Sequence, residues 1–213
     1  MKLIIYSGGM DSTVLLYKER PNIKLAVSFN YGSKHNNREM IYAAMNCREL
    51  YIDHVTISLE SVMSSFDSAL LNKDEKIPEG HYQDESMKRT VVPFRNGIML
   101  SIATGIAESN NLESVLIANH AGDHAIYPDC RQDFIVNFGD AMRTGTYGNI
   151  KLDSPFVDWT KREIALFGKS LKVDFSKTYS CYNGQEKHCG KCGTCVERQE
   201  ALEGFDTTKY KGD

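Results

Sequence analysis

Apolar and polar positions follow two different periods along this chain. Residues 2–6, KLIIY, are a short apolar run of strand length, and residues 12–20, STVLLYKER, follow with helical spacing. The pair recurs as KLAVSFNYG (24–32, strand), NNREMIYAAMNCREL (36–50, helix) and DHVTISL (53–59, strand). Strands separated by helices pair in parallel, so the pattern predicts a layered α/β domain. Residues 60–90 break the pattern, and so long an aperiodic stretch reads as a lid or a mobile insertion. Regular structure resumes with a helix from Phe94 to Ser109. It continues with the strand SVLIANH (114–120), the polar loop AGDHAIYPDC (121–130), the helix RQDFIVNFGDAMRTG (131–145) and the strand IKLDSPF (150–156). TKREIALFGKSLK (160–172) is an amphipathic helix with Thr160 as its cap, and VERQEALEGF (196–205) is the last helix.

Composition narrows the class. The 213 residues, 41% hydrophobic and 25% charged, are those of an ordinary soluble domain able to bury a core without staples. A net charge of -3 argues against a large phosphate-tracking surface, so direct nucleic-acid binding is disfavoured. No apolar run is long enough to span a membrane, and the single lysine and three-residue apolar run at the start are too short for a signal peptide. The expected compartment is the cytoplasm, where thiols stay reduced.

The turn between the first strand and helix, YSGGMDST, carries more polar groups than a turn needs. It lacks the lysine of a Walker loop and the third glycine of a dinucleotide fingerprint. Gly8 and Gly9 let backbone amides approach an anion, and the helix amino terminus behind them adds positive potential. Ser7 and Ser12 can donate to phosphate oxygens. Asp11 would repel phosphate unless it held a cation, which points to Mg²⁺. A capped turn would account for only one of these three polar residues.

Other polar clusters flank later elements. VVPFRNG places Arg95 and Asn96 at a helix start, where a guanidinium can fork onto carboxylate or phosphate. NHAGDHAIYPDCR follows a strand and holds His120, Asp123, Tyr127, Asp129 and Arg131, in the position where parallel sheets bind ligands. Asp129 is equally suited to cap a helix. Lys161 opens a helix, where a cation is slightly unfavourable unless it serves a partner. Cys47 reads as a small buried hydrophobe, and His35, His54, His81 and His124 carry no assignment.

Cys181, Cys189, Cys192 and Cys195 crowd into one glycine-containing stretch. Four thiolates at these spacings suit a closed, structural tetrahedral Zn²⁺ site, and four cysteines can also hold an iron–sulfur cluster. His188 adjoins the group, but four cysteines already complete a shell.

The S-G-G-x-D-S loop resembles the signature of the ATP-pyrophosphatase loop family, whose members cleave ATP between the α and β phosphates and pass AMP to an acyl or amide oxygen. In chain order, SGGMDS, VPFRN, YPDCR and SCYNGQEKHCGKCGTCVER resemble the 7-cyano-7-deazaguanine synthase family over nearly the whole length. The resemblance implies a parallel sheet with helices on both faces, an adenine nucleotide alpha hydrolase-like fold. Residues 1–178 would form the nucleotide-handling domain, and 179–213 a zinc-binding knuckle and helix packed on it. It implies an ATP-dependent ligase that turns 7-carboxy-7-deazaguanine and ammonia into the nitrile through an adenylated acid and an adenylated amide. ATP would lie on Tyr6, Ser7, Gly8, Gly9, Met10, Asp11, Ser12, Thr13, Val14, Leu15 and Leu16. Zinc would lie on the four cysteines. Asp11, Arg95 and Lys161 would be catalytic, Lys161 falling in the S-P-x-x-x-x-x-K pattern of a pyrophosphate-contacting lysine. Arg95, Asn96, Asp123, Tyr127, Asp129 and Arg131 would bind substrate, with Asp129 or Asp123 on the guanine-like edge. ATP, Mg²⁺ and Zn²⁺ are the implied cofactors, the partners are small molecules, and a homodimer is compatible with all of this. A tRNA-thiolating relative, or an enzyme that attaches a deazaguanine to another acceptor, is the alternative. Tyr179 departs from the tryptophan the family often shows there.

Overall fold

The computed structural model describes residues 1–212, and in it the strand–helix alternation becomes a five-stranded sheet. The elements are β1 (Lys2–Ile5), α1 (Met10–Glu19), β2 (Ile23–Asn30), α2 (Asn36–Leu50), β3 (Asp53–Ser58), α3 (Glu60–Met63), α4 (Arg95–Ser109), β4 (Ser114–Leu116), α5 (Gln132–Thr144), β5 (Lys151–Asp153), α6 (Lys161–Ser170) and α7 (Gly193–Ala201). The strand order is β3-β2-β1-β4-β5, and every neighbouring pair is parallel. Strands β4 and β5 are shorter than the apolar runs that predict them; after β4 the chain turns into the loop that lines the cavity described below.

Alternation along each strand builds two cores. Leu3, Val27 and Val115 face one side, where α4 (Met99, Leu100, Ala103, Ala107) and α5 (Ile135, Met142) cover them. Ile4, Ala26 and Leu116 face the other, under α1, α2, α6 and the end of α7. Helices therefore lie on both faces, as the sequence resemblance implies. Cys47 is buried in the second core, and burial pushes its thiol up to about 12.

Residues 60–90 form a packed wall rather than a projecting insertion. Met63, Leu70 and Met87 are fully buried in the first core, and a 3-10 turn at Glu85–Thr90 leads into α4. Arg89 closes the outer side with bidentate bonds to Asp67 and Glu75. These apolar residues contact different elements one by one, so no period marks them in the sequence.

Local signals place the remaining helices. Thr160 caps α6 through a reciprocal pair: its hydroxyl accepts from Glu163 N–H at 3.2 Å, and Glu163 Oε2 accepts from Thr160 N–H at 2.7 Å. Asp129 caps a helix too, but the distant one: its Oδ2 accepts from Asn96 N–H at 2.8 Å, at the start of α4. Arg198 of α7 is wholly buried and donates to Thr208 Oγ1, Ser180 Oγ and the Phe175 carbonyl, tying three stretches of the carboxyl-terminal segment together. Among the described residues, no helix is long and apolar enough to cross a membrane.

Gly8 fixes the path of the chain after β1. Its φ is +79°, and a Cβ there would sit 2.5 Å from the Glu39 carbonyl oxygen and 2.7 Å from Ala43 N, both backbone atoms of α2. Gly9 has ordinary φ, and a Cβ there meets only Ser7 Oγ at 3.0 Å and the Tyr179 carbonyl at 3.6 Å. Gly8→Ala is therefore expected to cost more than about 1 kcal/mol and lower the melting temperature by at least about 2–4 °C, well beyond the change in Gly9→Ala. Thermal unfolding of the two variants checks this, and equal shifts would contradict the packing of the loop on α2.

Candidate active site at the ends of β1 and β4

The strand order reverses direction between β1 and β4, and ligands of open parallel sheets bind in the crevice this creates. A cavity opens there. Its floor is the turn after β1, its sides are the loops after β2 and β4, and its far wall comes from α4 and the cysteine-rich segment.

The turn is built to leave donors exposed. Ser7 Oγ accepts from Gly9 N–H at 3.1 Å and lies 3.2 Å from Ser12 Oγ, and Thr13 Oγ1 donates to the Gly9 carbonyl at 2.8 Å. Tyr179 N–H holds the Gly8 carbonyl at 3.0 Å. No side chain caps α1, so the N–H groups of its first turn point toward the cavity with the positive end of the helix dipole. Tyr6, Ser7, Gly9, Met10, Asp11 and Ser12 line the cavity. Gly8 turns against α2, while Thr13, Val14, Leu15 and Leu16 are buried behind the loop and are not among the lining residues.

Lys161, the first residue of α6, reaches into this floor. Its Nζ lies 3.0 Å from Asp11 Oδ2 and 3.0 Å from Glu197 Oε2, and 3.4 Å from His120 Nε2. Burial opposes the charge on Lys161, but Asp11 and Glu197 outweigh it and hold the ammonium above its usual range. Burial likewise opposes the charge on Asp11, and Lys161 and His120 overcome it, so this carboxylate is held below the ordinary range. For Glu197 burial wins over Lys161 and its carboxyl is raised. Of two carboxyls on one lysine, Asp11 is the one kept firmly charged. Its Oδ1 is buried without a hydrogen-bond partner. A free lone pair on a charged carboxylate lining a cavity is what a divalent cation takes, so these residues fit Mg²⁺.

The opposite wall holds Arg95, whose Nη1 donates to the Tyr31 hydroxyl at 3.0 Å. Tyr31, His35, Tyr127 and Tyr182 lie around it, Tyr82 lines the same cavity nearer Lys161, and Tyr127 bonds both Thr90 and Tyr182 through its hydroxyl. Asn96 and Cys130 also line the cavity, with Asn96 Nδ2 donating to Cys130 Sγ at 3.1 Å and to the Asp129 carbonyl. Burial raises the Cys130 thiol well above the usual range, which makes it a poor nucleophile.

The remaining predicted residues scatter. Asp123 lines the cavity, but both its oxygens are engaged, by Tyr82 hydroxyl and by His120 N–H. Asp129 is the cap of α4 and is not among the lining residues. Arg131 is exposed, and its Nε donates to the His124 carbonyl, away from the cavity. Groups with no site assignment from the sequence also belong here, among them Tyr31, His35, Glu39, Tyr82, Tyr182 and Glu197. His35 and Glu39 had a signal, an i,i+4 spacing at the helix start after β2. Tyr82 sits in the aperiodic stretch and had none.

The four cysteines converge as their spacing predicts. Their Sγ atoms all lie within 4.8 Å of one another, with Cys189 and Cys195 at 3.9 Å. A tetrahedral ion with Zn–S bonds of about 2.3 Å sets its sulfurs about 3.8 Å apart, whereas a four-iron cluster gives each thiolate its own iron and spreads them further. Backbone N–H groups of Cys189, Lys191 and Cys192 and the Asn183 amide all point at sulfur, which favours thiolates. The donor set fits one zinc ion. His188 is not a ligand: its Nε2 accepts from Ser180 N–H at 3.1 Å and its ring packs on Tyr179.

Comparison with known proteins gives a consistent result. The family described as queuosine biosynthesis protein QueC matches residues 1–206. A 7-cyano-7-deazaguanine synthase of Porphyromonas gingivalis is 52% identical, covering 99% of this chain and 97% of the relative. One of Desulfotalea psychrophila is 51% identical over 98% and 97%, and one of Pseudoalteromonas translucida 42% identical over 94% and 93%. Among solved structures, the U34-tRNA thiolase NcsA of Methanococcus maripaludis with its [4Fe-4S] cluster superimposes with a TM-score of 0.54 at 15% identity, over 85% of this chain and 60% of that longer one. NMN synthetase from Francisella tularensis gives 0.51 at 16%, over 97% and 78%. At such identities these two structures share the fold alone. The chain belongs to the queuosine biosynthesis protein QueC family and is an enzyme of that family.

Proposed function

We propose that the chain is an ATP-dependent ligase that converts 7-carboxy-7-deazaguanine and ammonia to 7-cyano-7-deazaguanine. The observation that carries this is one cavity holding an uncapped helix amino terminus with Lys161 on its floor and Arg95 on its wall. That pairing suits a polyphosphate at one end and an anionic acceptor at the other. The names of the relatives support the product.

A carboxylate is a poor electrophile with a poor leaving group. Attack of its oxygen on the α-phosphorus of ATP expels pyrophosphate and gives an acyl adenylate. Ammonia then displaces AMP, loses a proton and leaves the amide. The amide oxygen attacks a second ATP, and loss of the N–H protons and AMP leaves the nitrile. The first-turn N–H groups of α1, with Ser7 and Ser12, cradle the β- and γ-phosphates, and Lys161 balances the charge that develops on the leaving group. Asp11 would hold Mg²⁺, which would supply charge neutralisation for the departing pyrophosphate. Arg95 orients the substrate carboxylate and then the acyl-linked phosphate. Residues 1–178 handle the nucleotide, and the segment from 179 onward, closed by zinc on its four cysteines, supplies a wall of the site.

Purified protein incubated with ATP, Mg²⁺, ammonium and 7-carboxy-7-deazaguanine is expected to form the nitrile with one pyrophosphate per activation, read by mass spectrometry. Absence of nitrile would overturn the assignment. Arg95→Ala, in protein that still melts cooperatively, is expected to lower kcat/KM for the acid by at least about 100-fold. Near-normal turnover would remove Arg95 from the mechanism. Elemental analysis is expected to find zinc equimolar with a colourless chain, and stripping it with a chelator is expected to lower the melting temperature. Brown protein containing iron and sulfide would instead favour a tRNA-thiolating relative.

A further inference from the structure

One wall of the cavity is polarised from end to end. Arg95 Nη1 donates to the Tyr31 hydroxyl at 3.0 Å, and that hydroxyl meets His35 Nε2 at 3.2 Å. His35 Nε2 in turn stands 3.6 Å from Glu39 Oε2. All four side chains line the cavity, so a guanidinium and a carboxyl are held apart by two intervening groups.

Glu39 differs from Asp123 and Asp129 in having acceptor capacity left, and from Asp11 in lying on the Arg95 wall rather than against the lysine on the floor. Asp129 is bound to the start of α4, Asp123 to Tyr82 and His120, and Asp11 to Lys161. For Glu39, Asn36 Nδ2 donates to Oε2 at a long 3.5 Å, and His35 makes its 3.6 Å approach. The side chain is nonetheless only 15% exposed, on the cavity side.

The ligand has the matching order, given the reaction proposed above. Its C7 carboxylate must face the phosphates to react. Carbon in place of N7 removes one acceptor from that side of the ring. What remains across the ring for recognition is the edge bearing N1–H and the 2-amino group, two parallel donors that one carboxylate accepts together. We propose that Glu39 is the specificity-determining residue that reads this guanine edge, while Arg95 at the other end of the same wall takes the carboxylate. Asp123 and Asp129, which residue type alone favours for that role, keep their structural bonds.

Protonation follows from the same geometry. Burial pushes Glu39 up to about 8, with Arg95 and the Asn36 bond pulling the other way, and burial pushes His35 down to about 3. The titratable and charged groups around Glu39 are Tyr31 and His35 from the loop before α2, Arg95 from α4, and Tyr182, which packs on His35 at 5.1 Å. The His35–Glu39 contact is thus between neutral groups near pH 7. Glu39 lies protonated in the empty cavity, ionises when it meets the donor edge, and releases its proton to solvent.

Titration calorimetry without ATP tests this with 7-carboxy-7-deazaguanine and its analogue lacking the 2-amino group, in two buffers of different ionisation enthalpy. The wild type is expected to prefer the amino compound by about 10- to 100-fold and to release a proton on binding it. Glu39→Gln is expected to bring the two ligands within a few-fold of each other and abolish the proton release, with ATP binding unchanged. Undiminished discrimination in Glu39→Gln, or none in the wild type, overturns the proposal. Should Glu39→Gln fail to fold, Glu39→Asp is expected to keep proton release while losing affinity for the amino compound alone, and wild-type binding by it overturns the proposal as well. Turnover by the same wild-type preparation separates the two claims. Binding without nitrile formation refutes the reaction and leaves Glu39 standing, whereas nitrile formation with Glu39→Gln discriminating normally refutes Glu39 alone.

Discussion

The site is organised around one buried ammonium. Lys161 sits at the start of α6, a position where the helix dipole disfavours a cation, yet it is only 10% exposed and charged. It remains so because Asp11 of α1 and Glu197 of α7 each place an oxygen 3.0 Å away. Removing either partner would leave charge uncompensated in a poorly screened place. The same contact joins the turn after β1 to the cysteine-rich segment, elements separated by most of the chain. A buried ion pair of this kind does more for geometry than for stability, since dehydrating the groups costs much of what their attraction returns.

Two further constraints complete the floor and the wall. Gly8 allows the turn to press against the backbone of α2, and this brings Glu39 and His35 to the cavity edge. Tyr179 N–H then holds the Gly8 carbonyl from the other side, so the segment closed by the four cysteines is locked onto the turn. The four-cysteine cluster is therefore more than a tether for the chain end. The segment that carries it supplies Tyr179, Ser180, Tyr182 and Thr194 to the cavity, and Glu197 to the lysine.

The charge pattern inside the cavity is divided. The floor carries a fixed ammonium, a fixed carboxylate and helix N–H groups, all suited to phosphate and a divalent cation. The Arg95 wall carries a permanent cation in a ring of tyrosines, with neutral His35 and Glu39 beyond it. Charge that does not move on the floor and a carboxyl that can change state on the wall suit different tasks, holding a leaving group and recognising a neutral ring.

The sequence by itself determined what depends on near neighbours. Period-two and helical repeats located the strands and most helices. Thr160 and Glu163 announced their own cap, and the cysteine spacing announced a closed four-sulfur site. The turn from Tyr6 to Ser12 stood out as a candidate anion site because backbone freedom and helix polarity are local properties. Only the tertiary structure decided which polar residues face one another. Asp129 and Arg131 have the right chemistry for a ligand but are drawn off by a helix start and a carbonyl. In the sequence His35 lies in a polar loop stretch and Glu39 within a helix, and they become part of the site because α2 packs on Gly8. Residues 60–90 lack a period because each apolar side chain there meets a different element, so Tyr82 was invisible until the wall closed. Convergence of residues far apart in the chain is a property of packing, and a one-dimensional pattern does not carry it.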